Sequence, residues 1–187
     1  MLTSSYLGNH LLIAMPGLAD PNFSRGVTLL CQHSAEGALG IVINRLSNFI
    51  LGEVLEQMNI STVVPGLAET PVYAGGPVQT DRGFVVHEAG SAWDSTFRVS
   101  DQVAVTTSRD VLAAMAEGRG PQRALVALGY AGWGAGQLED EIRENSWLSV
   151  PASGSILFDT PLEQRWQAAA RLAGVDMRLL TDYAGHA

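Results

Sequence analysis

The stretch Leu125-Val126-Ala127-Leu128 is apolar on both of its alternating faces, and it constrains the fold more than any other segment. In an extended strand successive side chains point to opposite sides, so Leu125 and Ala127 share one face and Val126 and Leu128 the other. A strand of that kind belongs in the middle of a sheet covered on both sides. Gly129, Gly132, Gly134 and Gly136 follow, then Gln137-Leu138-Glu139-Asp140-Glu141. The pattern predicts a strand, a glycine turn and a helix from about Gln137 to Glu144. Its early carboxylates complement the positive end of the helix dipole.

The flanking sequence supplies the rest of the sheet. His10 to Met15, Val27 to His33, and Leu39 to Asn44 read as strands, with Ser34-Ala35-Glu36-Gly37 a hairpin loop between the last two. Asp20-Pro21-Asn22-Phe23 reads as a helical turn capped by Asp20. Leu51, Val54, Leu55 and Met58 have helical spacing. Tyr73 to Val78 is a strand broken at Gly75-Gly76-Pro77. Arg82 to His87, Phe97 to Val99, and Val103 to Thr107 follow as strands. Thr107-Ser108-Arg109-Asp110 and Thr160-Pro161-Leu162-Glu163 read as capping boxes opening two more helices, which stop near Gly118 and at Gly174. Ser146 to Val150 and Ile156 to Phe158 read as extended. Strands and helices interleave without strict alternation, which predicts an α+β fold. At 187 residues one domain is expected, with a short tail over 179–187.

Composition excludes several chemistries. All eleven cations are arginine, so a Walker phosphate loop and Schiff-base catalysis are both ruled out. The lone Cys31 excludes an internal disulfide and a cysteine-rich metal site. Net charge is -8 with no arginine cluster in the sequence, which argues against nucleic-acid binding. Neither a membrane-length apolar run nor a secretory signal is seen, so a cytoplasmic protein is expected.

Several blocks together resemble the AlgH/YqgE-like family of bacterial proteins. They are Met15 to Phe23, Cys31-Gln32-His33, Gly37 to Arg45, Gly75-Gly76-Pro77-Val78, Arg82 to His87, and Leu128 through Glu139 to Trp147-Leu148, in the family's order between about Tyr6 and Arg178. Leu46 stands where the family often has proline, and Gly26 where it often has serine. The resemblance implies one compact α+β domain with a bifurcated or partly barrel-like sheet and helices around it. The family takes its name from a proposed role in regulating alginate production, and members are often labelled transcriptional regulators. It carries no settled catalytic residues to transfer.

The candidate ligand or partner site comprises His33, Asn44, Gly75, Gly76, Arg82, His87, Trp133, Gln137 and Glu141. His33 and His87 would form an acid–base or metal pair with Glu88 or Glu139 if their strands were neighbours, though no metal-motif spacing supports this. On a two-residue period His33 shares a face with Cys31. Arg82 is expected to pair with a loop carboxylate. In the acidic helix Glu139 has Arg143 four residues on, whereas Glu141 has only Asn145. This marks Glu139 as structural and Glu141 as free for function. No metal or cofactor is expected. The first expectation is a non-enzymatic regulatory or adaptor protein contacting a protein or small molecule. A hydrolase using His33, His87 and glutamates is the alternative, and a DNA-binding regulator a third.

Overall fold

A computed structural model describes residues 6–184. In chain order the elements are β1 (His10–Ala14), β2 (Val27–Ser34), β3 (Gly37–Val42), β4 (Leu46–Ile50), α1 (Leu51–Gln57), β5 (Pro71–Ala74), β6 (Val78–Glu88), β7 (Thr96–Arg98), β8 (Val103–Thr106), α2 (Arg109–Ala116), β9 (Ala124–Gly134), α3 (Gln137–Arg143), β10 (Trp147–Pro151), α4 (Arg165–Leu172) and α5 (Met177–Ala184). The α+β class stands: a curled, half-barrel, mostly antiparallel sheet with helices around it.

Strand β9 organises the sheet. Its first half, flush with Val126 and Leu128, pairs with β6 on one edge and, in parallel, with β5 on the other. Its second half pairs with β3 through Gly37↔Gly134 to Gly40↔Ala131. One edge of β9 thus passes from β5 to β3, and the sheet forks there. The main path runs β10-β1-β2-β3-β9-β6-β8-β7, with β4 beyond β5.

The glycine turn was expected too early. The strand continues through Gly129, Gly132 and Gly134, and only then turns into α3. At Gly129, where φ is +80°, a Cβ would stand 2.4 Å from the Gly76 carbonyl oxygen. At Gly76 it would stand 2.1 Å from the Tyr130 carbonyl carbon. The two backbones touch where the sheet forks, a close approach that only glycine permits.

Three apolar clusters fill the layers. The largest lies inside the curl and includes Leu11, Val27, Leu29, Cys31, Ile41, Phe84, Val86, Val105, Ala127, Leu157, Trp166 and Ala169. A second, around Leu12, Leu30, Trp133, Leu138 and Trp147, lies under α3. A third joins α1 and α2 to the outer face of β6 and β9 through Leu51, Leu55, Val85, Leu112 and Val126. The two faces of β9 serve the first and third clusters, which explains its double-sided apolar pattern.

Four local expectations are corrected. Ile156 to Phe158 is not extended but lies in a π-helical turn over Ser155–Asp159, since a three-residue apolar run cannot distinguish helix from strand. Neither capping box closes as expected. Ser108 is the N-cap of α2 and its hydroxyl donates to Asp110, while Pro161 precedes a 3₁₀ turn over Leu162–Gln164 that leads into α4. The C-terminal tail is helical as far as Ala184, and residues 185–187 lie outside the described residues. Among the described residues no helix is long and apolar enough to cross a membrane.

Candidate functional site

The sequence candidates divide among four places. His33, Trp133, Gln137 and Glu141 gather around α3. A β-bulge brings His33 there: Leu30 pairs with Gly40, but Gln32 already pairs with Leu39, so Cys31 is the extra residue. One extra residue reverses the facing of everything after it. His33 therefore turns away from Cys31 and joins the face of Leu30, opposite the expected one. Its Nε2 lies 2.8 Å from Glu139 Oε1, and its Nδ1 accepts the Leu7 backbone N–H at 2.9 Å. An accepting Nδ1 carries no proton, so Nε2 is the donor. The Tyr6 ring meets the imidazole edge-on with centroids 5.0 Å apart. The hydrogen bond from His33 holds the Glu139 carboxyl below its usual range, against the opposing effect of burial.

Glu141 is not free. Its Oε1 accepts the indole N–H groups of Trp133 at 3.1 Å and Trp147 at 2.9 Å, and its Oε2 accepts the Gln137 amide at 2.9 Å. The Gln137 carbonyl in turn accepts the Gly134 N–H at 2.9 Å. Trp133, Trp147 and Phe23 form a ring cluster with centroids 5.7–6.0 Å apart. Arg143 pairs with Asp140, three residues before it, and not with Glu139. The roles assigned to the two glutamates are thus redistributed: both have partners in the fold, and Glu141 has more.

His87 lies elsewhere. Strands β2 and β6 are separated by β3 and β9, so the two histidines are not neighbours. His87 is fully buried. Its Nδ1 lies 2.8 Å from the Glu88 carbonyl and must donate; Nε2 then accepts from the Thr106 hydroxyl at 2.7 Å. The Thr106 oxygen is 2.8 Å from that of Thr96, extending the chain. The His–His–glutamate constellation is not assembled.

Asn44 fastens a loop, accepting from Val27 N at 2.8 Å and donating to the Arg25 carbonyl at 3.0 Å. The neighbouring Arg45 donates to the Pro21 and Ser24 carbonyls. Arg165, buried at the start of α4, reaches the Ile43 carbonyl, and Arg25 and Arg45 border one small cavity beside this loop.

The Gly75 N–H is tied to the Leu128 carbonyl at 2.7 Å, whereas Asp81 and Gly83, on either side of Arg82, line a cavity of about 470 Å³. Its floor is the outer face of β6 and β9, with Val85, Val126 and Leu128; Val54 and Met58 of α1 and Leu112 of α2 form the walls. Polar groups sit around it: Glu53, Gln57, Thr80, Asp81, Thr107 and Ser108. Thr106 also lines it, which places His87 one hydroxyl behind the wall. At one end it adjoins a smaller groove through Phe49, Thr80 and Leu128, and there Gly76 contributes. Across the opening β6 leaves the sheet: Val78 pairs with Tyr130 and Gly83 with Leu128, so four residues face one. Gln79 within that bulge has φ +47°, a conformation few non-glycine residues adopt. Strain and bulges of this kind gather at binding sites, where they re-aim side chains. Arg82 has no described carboxylate partner; its guanidinium lies over the Phe84 ring, 5.3 Å from the centroid. Beside the cavity burial tends to raise the Asp110 carboxyl, but hydrogen bonds from the Ser108 hydroxyl and the Asp94 amide hold it below its usual range.

Sequence reasoning missed this cavity. Phe49, Glu53, Thr80, Asp81 and Ser108 come from four separate elements. The polar run Gln79-Thr80-Asp81 between two strand segments was its one visible trace.

The forked, curled sheet with helices packed on both of its faces defines a mixed α/β half-barrel class. The solution structure of the AlgH protein from Pseudomonas aeruginosa shares it, with a TM-score of 0.80 and 50% identity, covering 97% of this chain and 96% of that one. The chain belongs to the AlgH-like family, whose model matches residues 11–178. A UPF0301 protein of Xanthomonas campestris is 59% identical over 181 residues, 97% of this chain and 96% of its own length. One from Xylella fastidiosa is 60% identical over the same spans. A crystal structure of a Corynebacterium diphtheriae protein, 21% identical with a TM-score of 0.71 over 91% of this chain and 89% of that one, shares the fold.

Proposed function

We propose that the protein is a non-catalytic regulatory protein that binds a small, largely apolar molecule in the cavity between α1, α2 and the outer face of β6 and β9. The observation that carries this reading is the cavity itself. Its volume of about 470 Å³ falls within the range of roughly 300–1,000 Å³ common to small-molecule sites. It has an apolar floor, a few convergent polar groups and a strained bulge at its mouth. The catalytic alternative has less support. Burial pushes the Cys31 thiol up to about 12, and the ring nitrogens of both candidate histidines are engaged by the fold. Net charge -8 continues to argue against direct operator binding.

The test uses N-phenyl-1-naphthylamine, a neutral apolar fluorophore. Its emission is expected to rise saturably with the protein. Leu112→Trp, which fills the cavity from α2, should abolish that rise while leaving the far-ultraviolet circular dichroism unchanged. Equal probe binding by wild type and a folded Leu112→Trp variant would overturn the assignment. If Leu112→Trp does not fold, Val126→Phe on the floor serves the same purpose.

A further inference from the structure

Five arginines stand in ion pairs: Arg98, Arg119, Arg123, Arg143 and Arg178. The other six, Arg25, Arg45, Arg82, Arg109, Arg165 and Arg171, do not; among the described residues no carboxylate lies within the 4.0 Å ion-pair distance of any of them. The chain has 19 acidic residues for its 11 arginines, so acidic partners are not scarce. Two of the six, Arg25 and Arg45, nevertheless border one cavity without an ion-pair partner.

Their placement is fixed in advance. Arg45 is tied to the Pro21 and Ser24 carbonyls, and Arg165 to the Ile43 and Thr160 carbonyls and the Tyr73 hydroxyl. The Arg25 guanidinium lies over the Trp166 ring, 4.5 Å from the centroid. Stacking uses the flat face of a guanidinium and leaves its in-plane N–H fork free for a bidentate acceptor. Arg25 itself has φ +57°, and Asn44 pins its carbonyl. Between Arg25 and Arg45 opens a cavity of about 220 Å³, edged by Asn44 and Gln167. That is below the roughly 300–1,000 Å³ of ordinary small-molecule pockets. Glu163 is the one carboxylate in its lining, exposed and outside ion-pair distance of the guanidinium groups.

We propose that this cavity is a binding site for a compact oxyanion, a phosphate or carboxylate group, held by the Arg25 fork with Arg45 and the Asn44 and Gln167 amides around it. The site is separate from the apolar cavity and does not depend on its occupant. An anion approaches against a net charge of -8, so binding is salt-sensitive.

Titration of the isotope-labelled protein with inorganic phosphate, and separately with acetate, at constant ionic strength set by sodium chloride tests the proposal. The Gln167 side-chain amide and the Trp166 indole are the reporters. Saturable shifts at both are expected. Response to phosphate alone or to both anions supports the site and distinguishes a phosphate from a carboxylate ligand. Arg25→Gln should weaken binding about tenfold or more, the scale of a lost charge-assisted hydrogen bond. Arg82→Gln, a cation lost elsewhere, should leave it unchanged. Shifts that stay linear, that sodium chloride reproduces, or that persist at the same midpoint in Arg25→Gln would overturn the proposal. If Arg25→Gln does not fold, Gln167→Glu sets a carboxylate at the cavity edge and must abolish saturation.

Discussion

Glu141 offers the sharpest test of how α3 is fastened to the sheet. Its side chain joins three elements: Trp133 closes β9, Trp147 opens β10, and Gln137 opens α3. Both indoles are nearly buried, at 6% and 4% exposure, so water cannot fully replace the carboxylate as acceptor. Glu141→Ala leaves two indole N–H groups unpaired at about 1–3 kcal/mol each, an expected loss of roughly 2–5 kcal/mol. Glu141→Gln is milder. One amide oxygen can still receive both indoles, but the charge and the bond from Gln137 are lost, and about 1–2 kcal/mol is expected. Glu139→Gln keeps an acceptor for His33 on a side chain that is 31% exposed and should cost about 0.5–1 kcal/mol. Urea denaturation at neutral pH, followed by far-ultraviolet circular dichroism, measures all three without relying on the altered tryptophans. At a slope of about 2 kcal/mol/M, Glu141→Gln should lower the midpoint by roughly 0.5–1 M. If Glu139→Gln destabilises more than Glu141→Gln, or Glu141→Ala is neutral, the clamp is not what holds α3.

Two further outcomes are expected. The Glu139 carboxyl is lowered in the fold, chiefly by His33, so its contribution is present above the unfolded-state value of 4.5 and is lost as pH falls through the lower folded value; urea midpoints below pH 4.5 should therefore fall less steeply for Glu139→Gln than for wild type, and parallel acid limbs would refute this. With its thiol pushed up to about 12 by burial, Cys31 should react slowly with a maleimide at neutral pH and rapidly only in denaturant, and prompt labelling of the folded protein would contradict its placement in the core.

The sequence carried the local periodicities well. Leu125 to Leu128 announced a central strand because an apolar pattern on both faces fits a strand covered on both sides. It failed where one residue changes a count or where distance in sequence collapses in space. The bulge at Cys31 leaves no compositional mark, yet it moves His33 to the other side of the sheet and gives it Glu139, 106 residues away. Glu141 appeared free because helical spacing shows partners at i+4 and cannot show an indole on a neighbouring strand. The small arginine-edged cavity was invisible for the same reason: Arg25, Arg45 and Gln167 border one space although they lie far apart in sequence. Of the candidate residues, Trp133, Gln137 and Glu141 were drawn from one block and lie together, whereas His33 and His87 were linked only by an assumed adjacency of strands.

The fork at Gly129 also bears on how the chain is made. Strands β3, β5 and β6 all take their central partner from residues 124–134. Until that segment leaves the ribosome, each presents a row of unsatisfied N–H and C=O groups, the kind of edge on which chains associate. A nascent chain stopped before Ala124 therefore holds most of a sheet without its middle, and is expected to need chaperone cover that the finished protein does not.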